Sequence, residues 1–482
     1  MKFKYQTYER EFKKSKAELR EAYQKGDVYK VICFLRYLTC FYYTINYTLA
    51  DEELEQITKD VSHKILGDTV IQKGNDNTVL FYDGFGLVSR GLANIYVKAL
   101  DELGFQVIWV MYEWAEDLNE IQNKFADRKN VQFMLIPKKS VLERMQELQN
   151  IIVNISPKYV YLYTLPDDVV GLGTFSTVTG DVERFLIDLT DHAYWLGKCA
   201  TDYVIGFRNI GYNVAVKYRN FDSSQVLLLP YYPEKREDYS FEGMPFDIEK
   251  HEFVFSGGSI YKIEGSELYA DMVRYILDIN SKIYFVYAGN GKSKILDAIK
   301  QQYPKRFYQI PERKDLDKIM QKAKFYLSTY PMFGGLMTQY AAQNGCIPLS
   351  LCNVENPLAN PITLVLHPEE ADYFVTNFDD ACKKIKQLME DRIYYEKMKE
   401  NLNRQVISEE EFKNQLENIM RQKMSKFQGH IKDTDIESFL DIYRRRATYE
   451  IYANTIFNSR NKWVYRRHPL IWLRGKIAQL KR

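Results

Sequence analysis

The chain has no surplus of charge of either sign: 66 Lys and Arg stand against 64 Asp and Glu in 482 residues, a net charge of +2. A total so near neutral leaves no electrostatic footprint for nucleic acid, and none is expected as a partner. Cysteine is scarce. The six present (Cys33, Cys40, Cys199, Cys346, Cys352 and Cys382) form no C-x-x-C and no regular spacing, which argues against a disulfide framework and against a cysteine-based zinc site. A long hydrophobic run is also missing. The stretch from Val31 to Ile45 is broken by Arg36 and falls short of the about 20 residues a spanning helix needs. The first residues run into Glu9, Glu11 and several lysines without an apolar core, so no secretory signal is expected. With 46% hydrophobic and 27% charged residues the chain sits in the ordinary globular band, which excludes fibrous and disordered classes. The expectation is a cytoplasmic protein, with peripheral contact at the inner face of the cell membrane left open. What abounds is aromatic: 15% of residues, 38 of them Tyr. Tyr-rich clefts often handle sugars or bases.

The length suggests about three domains' worth of chain, or two large ones. Residues 1–70 read as a helical extension, charged and poor in glycine. From Thr78 the texture changes. Thr78–Asp83 is a short apolar strand, Gly84-Phe85-Gly86 a turn, and Leu92, Ile95, Tyr96, Ala99, Leu100 and Leu103 recur at helical spacing before Gly104. Phe105–Met111 is the next strand, completing a βαβ unit. Further strands are expected at Val131–Ile136, Tyr159–Tyr163, Arg184–Leu189 and Val226–Leu229, giving a first α/β domain over 71–235. A Pro- and charge-rich stretch through Lys250 marks the boundary. A second alternation then follows over 251–390, with strands at Phe253–Phe255, Ile283–Ala288, Phe307–Ile310, Phe325–Tyr330 and Ile347–Leu351. Helices are expected over 391–458, then a basic aromatic tail over 459–482. Open α/β sheets bind ligands at the carboxyl ends of their strands, and two such domains joined by one linker are expected to enclose a cleft.

The most informative stretch is Phe325 to Leu351: strand, Pro331-Met332-Phe333-Gly334-Gly335, helix, Asn344-Gly345-Cys346-Ile347-Pro348, strand. Paired glycines before a helix let the backbone approach a ligand. The N–H groups of Leu336 and Met337, at the positive end of the helix dipole, suit a phosphate or diphosphate. A plain tight turn accounts for the same residues.

This segment resembles the donor site of GT-B-fold glycosyltransferases, with small residues Ala341 and Ala342 in the helix before Gly345-Cys346-Ile347-Pro348. Other parts resemble that fold in the same order. Ser256-Gly257-Gly258 with Lys262 is similar to the first loop of the C-terminal domain, where a basic residue meets the donor diphosphate. Ala288-Gly289-Asn290-Gly291 is similar to the glycine turn after the second strand, and Ile310-Pro311-Glu312 falls where the base of the nucleotide is held. Asp391 through Phe412 resembles the helices that end these domains. The resemblance spans residues 78–420 and implies two Rossmann-like domains facing a cleft, a helical N-terminal extension and a helical C-terminal tail. It also implies transfer of a sugar from a UDP- or GDP-sugar to a glycan, lipid-linked or protein acceptor, with the nucleotide sugar as co-substrate and no resident cofactor. One departure matters: the two glutamates of retaining enzymes in glycosyltransferase family 4 are replaced by Met332 and Tyr340. The segment is closer to O-GlcNAc-transferase-like and bacterial cytosolic N-glycosyltransferase-like enzymes, which implies inversion.

Inversion needs a base for the acceptor hydroxyl. His192, in Leu189-Thr190-Asp191-His192-Ala193-Tyr194-Trp195, follows a strand and sits among aromatics; the relatives just named carry a functional His in the corresponding loop. A histidine hydrogen-bonded to Asp191 at a strand end is the plainer account. Asp83 is the rival base, with ordinary Asx-turn chemistry as its alternative. Arg90 and Lys292 are candidate phosphate partners or solvated surface charges. Asp315-Leu316-Asp317 and Asp433-Thr434-Asp435 match a metal-binding D-x-D pattern but stand at helix starts, where aspartate serves as a cap, so no metal is expected. Two other functions stay open on this fold: a sugar-nucleotide 2-epimerase, for which the donor loop is poor in carboxylates, and a non-catalytic subunit that only binds glycan or a partner enzyme. Between Ser459 and Arg482 eight basic residues and no acidic one are interleaved with Trp463, Tyr465, Leu470, Trp472 and Leu473. That composition fits the headgroup layer of an anionic bilayer, a docking site for an acidic partner, or aromatics packed onto the fold with the charges solvated.

Overall fold

The computed structural model describes residues 5–86, 91–235, 239–264, 266–352, 365–367, 372–431, 435–437, 440–441, 466 and 469–480. The chain forms two compact units, 1–229 with 413–482, and 230–412.

The first unit opens with three helices, α1 (Tyr5–Gln24), α2 (Val28–Ile45) and α3 (Glu52–Leu66). Asp27 and Asp51 start the latter two, accepting from the N–H of Lys30 and Leu54, as N-cap carboxylates do. There follow β1 (Thr69–Ile71), β2 (Asn75–Asp83), α4 (Leu92–Glu102), β3 (Gln106–Tyr112), α5 (Leu118–Lys124), β4 (Val131–Ile136), α6 (Val141–Ile155), β5 (Pro157–Tyr163), α7 (Val169–Ser176), β6 (Val178–Gly180), β7 (Glu183–Ile187), β8 (Tyr203–Gly206), α8 (Asn209–Tyr218) and β9 (Val226–Leu228). Seven strands pair in parallel in the order β4-β3-β2-β5-β7-β8-β9, while β1 and β6 form a separate parallel pair. The order reverses direction between β2 and β5, which opens a crevice at their carboxyl ends.

One face of this sheet shares a single core with α1, α2 and α3: Phe12, Leu38 and Leu54 join Leu80, Val110 and Leu162 in one buried cluster. The expected helical extension is therefore part of the domain core. The other face carries a row of aromatics in register, Phe133, Trp109, Phe81, Tyr161, Phe185 and Tyr203, one from each of six adjacent strands. Neighbouring ring centroids lie 5.2–6.3 Å apart. Much of the aromatic excess is thus sheet packing, where cross-strand aromatic pairs stabilise register. The chain returns to this face late: Lys423 Nζ lies 5.5 Å from the rings of both Phe185 and Tyr203, and Phe427 bridges to Leu228.

The second unit runs β10 (Phe253–Gly257), α9 (Glu267–Ile279), β11 (Tyr284–Ala288), α10 (Lys294–Gln302), β12 (Phe307–Ile310), α11 (Leu316–Lys322), β13 (Phe325–Leu327), α12 (Gly335–Gln343), β14 (Ile347–Leu351), β15 (Phe374–Val375), α13 (Phe378–Glu390) and α14 (Arg392–Glu400). Its parallel sheet has the order β12-β11-β10-β13-β14-β15, the Rossmann arrangement, with the reversal between β10 and β13. The stretch expected as a linker packs against this sheet: Phe241, Met244, Phe246 and Ile248 lie on its core, and Phe246 stacks on Tyr284 at 4.5 Å. The helix α15 (Glu409–Gln422) carries the chain back to the first unit, and α16 (Pro469–Leu480) follows. Proline at the first position of α16 is compatible with a continuous helix, since that N–H has no intrahelical acceptor. The described helix begins at Pro469.

Candidate functional site

In the second unit the reversal between β10 and β13 gathers most of the glycine motifs. β10 ends at Gly257, and a Cβ there would lie 2.8 Å from the Ala288 carbonyl oxygen. Gly258, at φ +141, donates its N–H to that same oxygen at 2.9 Å. Gly289 is equally confined, since a Cβ would stand 2.4 Å from the Gly258 carbonyl and 2.8 Å from the Tyr287 ring. These contacts explain why glycine is needed in a loop where two strands end side by side. The Tyr287 hydroxyl donates to Gly258 O at 2.9 Å, and Gln309 Nε2 donates to the carbonyls of Gly289 and Gly291, both at 2.9 Å. The Glu312 N–H donates to Asn290 Oδ1 at 3.2 Å, which ties the exposed Pro311-Glu312 turn to the β11 loop.

Across the crevice, the Met332 N–H donates to Lys262 O at 3.1 Å, and the Thr329 hydroxyl to Met332 O at 2.7 Å. The 257–262 loop and the 331–335 turn are thereby held together. Gly334 caps α12 without a side chain, so among the described residues no side chain caps the N–H groups of Gly335, Leu336 and Met337, while that of Thr338 donates to Gly334 O at 2.9 Å. Lys262 is half-buried beside Gly258, and burial lowers its ammonium pKa. A helix start without a side-chain cap and a partly desolvated lysine on the neighbouring loop are groups of the kind that can hold an anion.

The structure thus brings Gly257, Gly258, Lys262, Gly334, Gly335, Leu336 and Met337 together. It sets Gly289 and Gly291 one strand outward at β11, and Pro311 one further at β12. Tyr340 is buried, and its hydroxyl donates to Glu234 O at 2.7 Å. Lys292 is exposed, and Arg90 and Asp433 lie outside the described residues. Asp315 stands at the N-cap position of α11, but its side chain does not cap: the carboxylate pairs with Arg313 at 2.5–2.7 Å and accepts from the Glu242 N–H at 2.8 Å. Among the described residues no group of His, Cys, Asp and Glu could hold a metal.

In the first unit, His192 and Asp83 both stand at the carboxyl edge of the sheet, His192 in the loop after β7 and Asp83 as the last residue of β2. Asp83 is 1% exposed; the Trp109 indole donates to it at 3.4 Å and the Gly86 N–H at 3.3 Å. Its carboxylate is an anchor for the turn after β2. His192 is different, with 39% of its side chain exposed. Its Nδ1 lies 3.3 Å from Oδ1 of Asp191, which is fully buried and held by both Arg208 nitrogens at 2.6 and 2.7 Å. Burial by itself would raise the Asp191 carboxyl; Arg208, with His192, reverses this and holds it well below the usual carboxylate range. A second buried pair braces the same loop. Arg219 binds Asp188 at 2.7 Å, donates to Ala193 O at 2.6 Å and stacks over Trp195 at 4.2 Å. Here burial dominates, and it pushes the Asp188 carboxyl up to about 6 and the Arg219 guanidinium down. Asn46, left-handed at the end of α2, accepts from the Tyr194 N–H and donates to His192 O, both at 2.9 Å.

Sequence reasoning did not find Arg208, Arg219 or Asn46. Their partners lie 17 to 148 residues away, beyond any local pattern.

No protein-family model matches the chain, and no curated protein matches it. Solved structures do. A glycosyltransferase from Rickettsia africae matches with a TM-score of 0.54 at 11% identity, over 73% of this chain and 100% of that one. An O-GlcNAc transferase from Thermobaculum terrenum matches at 0.50 and 11%, over 85% and 81%. Anabaena HepE, in complex with UDP-glucose, matches at 0.50 and 11%, over 72% and 99%. The fold is of the GT-B type, with two Rossmann-like α/β units.

Proposed function

We propose that the chain is a metal-independent, inverting glycosyltransferase that moves a sugar from a UDP-sugar to a carbohydrate acceptor. The observation that carries this reading is the β10/β13 crevice, where the loop bearing Lys262 is tied by the Met332 N–H to the turn that opens α12, a helix that starts at Gly335 without a side-chain cap. These groups would bind the diphosphate and stabilise it as it departs, so no metal is required for that charge. The choice of UDP is supported by the HepE complex with UDP-glucose. Asp191 fixes Nδ1 of His192 as the donor, which leaves Nε2 as the proton acceptor. The acceptor oxygen bonds to the sugar carbon, that carbon's bond to the diphosphate oxygen breaks with its electron pair going to the phosphate, and the acceptor proton passes to Nε2.

The test is incubation with a panel of UDP- and GDP-sugars, read by mass spectrometry. Transfer or slow hydrolysis of a UDP-sugar supports the reading. An epimerised sugar, or no turnover with bound nucleotide, replaces it with one of the two other functions. His192→Ala should lower transfer by about 10²-fold or more while nucleotide binding is kept. The burial of Tyr340 where family 4 enzymes carry a glutamate keeps the non-catalytic reading in play.

We also propose that the tail holds the enzyme at an anionic membrane in the cytoplasm, where surface polysaccharides are assembled on lipid-linked acceptors. In α16, Leu470, Leu473 and Ile477 are 75%, 50% and 46% exposed and share one helical face, with Lys476 beside Trp472. Exposed aliphatic side chains between lysines and arginines are the pattern of an interfacial helix. No described helix is long and apolar enough to cross a membrane.

A further inference from the structure

Beside the β2/β5 crevice of the first unit lies a cavity of about 380 Å³, within the range of small-molecule sites. One wall is α2, through Arg36, Cys40 and Thr44; the others are Tyr112, Arg144 and the β5–α7 loop with Asp167. Two arginines, Arg36 and Arg144, and two aspartates, Asp167 and Asp168, line this cavity, and they are partnered unequally. Asp168 at the start of α7 is saturated, accepting from the N–H groups of Val170 and Gly171 and from the hydroxyls of Tyr82 and Thr164. Asp167 faces the Cys40 thiol and the Arg36 guanidinium. Arg144 has neither kind of partner. Its guanidinium lies 5.7 Å from the Tyr112 ring and 5.5 Å from the Trp114 ring, which stack on each other at 4.4 Å. Among the described residues it meets no carboxylate, and its Nε is buried with no hydrogen-bond acceptor. Arg144 as a whole is partly exposed, so only the Nε it buries without an acceptor carries a cost, and a guanidinium already fixed by two rings presents its nitrogens in the fork that matches a planar or tetrahedral oxyanion.

We propose that this cavity is an acceptor subsite for a sugar that carries an oxyanion, carboxylate or phosphate, gripped by Arg144 with Arg36 beside it. It rests on the sugar-transfer reading for the word acceptor, and on the cavity alone for the ligand. The N-terminal helices then have a function besides packing, because α2 supplies one wall of the site.

The test uses the full chain and four probes: methyl glucoside, methyl glucuronide, glucose 6-phosphate and inorganic phosphate. Calorimetric titration should show at least one charged sugar binding ten-fold or more tightly than methyl glucoside, and the tighter of the two identifies the oxyanion. Arg144→Gln should weaken that binding ten-fold or more. Thr44→Glu, at an exposed position on α2 facing the cavity, leaves Arg144 in place but offers it an internal carboxylate, and should weaken binding as much. Charged sugars no tighter than methyl glucoside, both variants binding like the parent, or inorganic phosphate binding as tightly as glucose 6-phosphate would each overturn the proposal. UDP is titrated into the same samples. UDP binding without any charged-sugar preference sinks this subsite alone, whereas a charged-sugar site without UDP binding sinks the sugar-transfer reading alone.

Discussion

Arg208→Met removes both Arg208 hydrogen bonds to the buried Asp191 carboxylate and leaves it with His192 Nδ1 at 3.3 Å. Asp191 is 0% exposed and the Arg208 side chain 5% exposed, with contacts of 2.6 and 2.7 Å. Breaking a buried pair by deleting one partner costs about 3–5 kcal/mol, because the other charge stays buried. Two charge-assisted bonds at roughly 1.5–3 kcal/mol each give about 3–6 kcal/mol, an overlapping range. The site has little room to relax, since a Cβ on Gly211 of α8 would already stand 3.0 Å from the Asp191 Cβ. The pH dependence follows from the sign of the shift. In the parent the Asp191 carboxyl is depressed, so its contribution is complete above the unfolded value of about 3.9 and is lost as pH falls toward the folded value. In the variant burial dominates and the carboxyl is raised, so the variant regains stability as pH falls from neutral toward about 4. The deficit is therefore largest at neutral pH and shrinks on acidification. Denaturant melts of both proteins at pH 4 and pH 7.5 measure this, with the midpoint shifting at constant slope. Adding Asp191→Asn to Arg208→Met should restore part of the loss, since the buried charge is gone. A deficit below about 1 kcal/mol at neutral pH, or one that grows on acidification, would refute the burial argument.

Asp167→Asn should flatten the acid limb of the stability profile. The Asp167 carboxyl is pushed up to about 6, by burial first and by Asp168 second. An acid raised in the folded state binds more protons there, so stability falls as pH rises from about 4 to about 6, by on the order of 3 kcal/mol. Parallel melting curves for the parent and the variant across that window would show the carboxyl to be unperturbed. Gly289→Ala should abolish UDP binding, because the new Cβ would meet the Gly258 carbonyl at 2.4 Å and neither backbone can yield; unchanged UDP affinity by calorimetry would move the nucleotide site elsewhere. The full chain should sediment with anionic liposomes at low salt and be released at high salt, and a chain ending at Asn458 should stay in solution. Equal partitioning of the two would assign the tail a structural role.

Much of this protein follows from local chemistry. The alternation of apolar runs with glycine turns locates β4, β12 and β14 to the residue, because buried parallel strands are short, continuous and bounded by residues that tolerate turns. The glycine motifs at 257–258, 289–291 and 334–335 were legible for the same reason: they mark where the backbone must come close to itself or to a ligand. Other features required the folded chain. The helix α7 reads Val169-Val170-Gly171-Leu172-Gly173-Thr174-Phe175-Ser176, with two glycines and two β-branched residues at its start, a poor helix by propensity. It forms because those glycines fit against neighbours: a Cβ on Gly171 would stand 2.3 Å from the Tyr82 ring, and one on Gly173 2.8 Å from Ser62 Oγ. The strand β8 is four residues long, too short for a period, and is defined by the strands on either side of it. His192 was legible as a residue but not as a site. Asp191 beside it is local, whereas Arg208, Arg219 and Asn46 reach the loop through sheet order and the path of α2. Arg144 and Arg36 likewise meet at one cavity only because α2 and α6 border the same sheet edge. A sequence states which residues can cap, turn or alternate over a few positions. Which distant charges share a low-dielectric space is a property of the tertiary structure alone, because that space does not exist until the chain has closed around it.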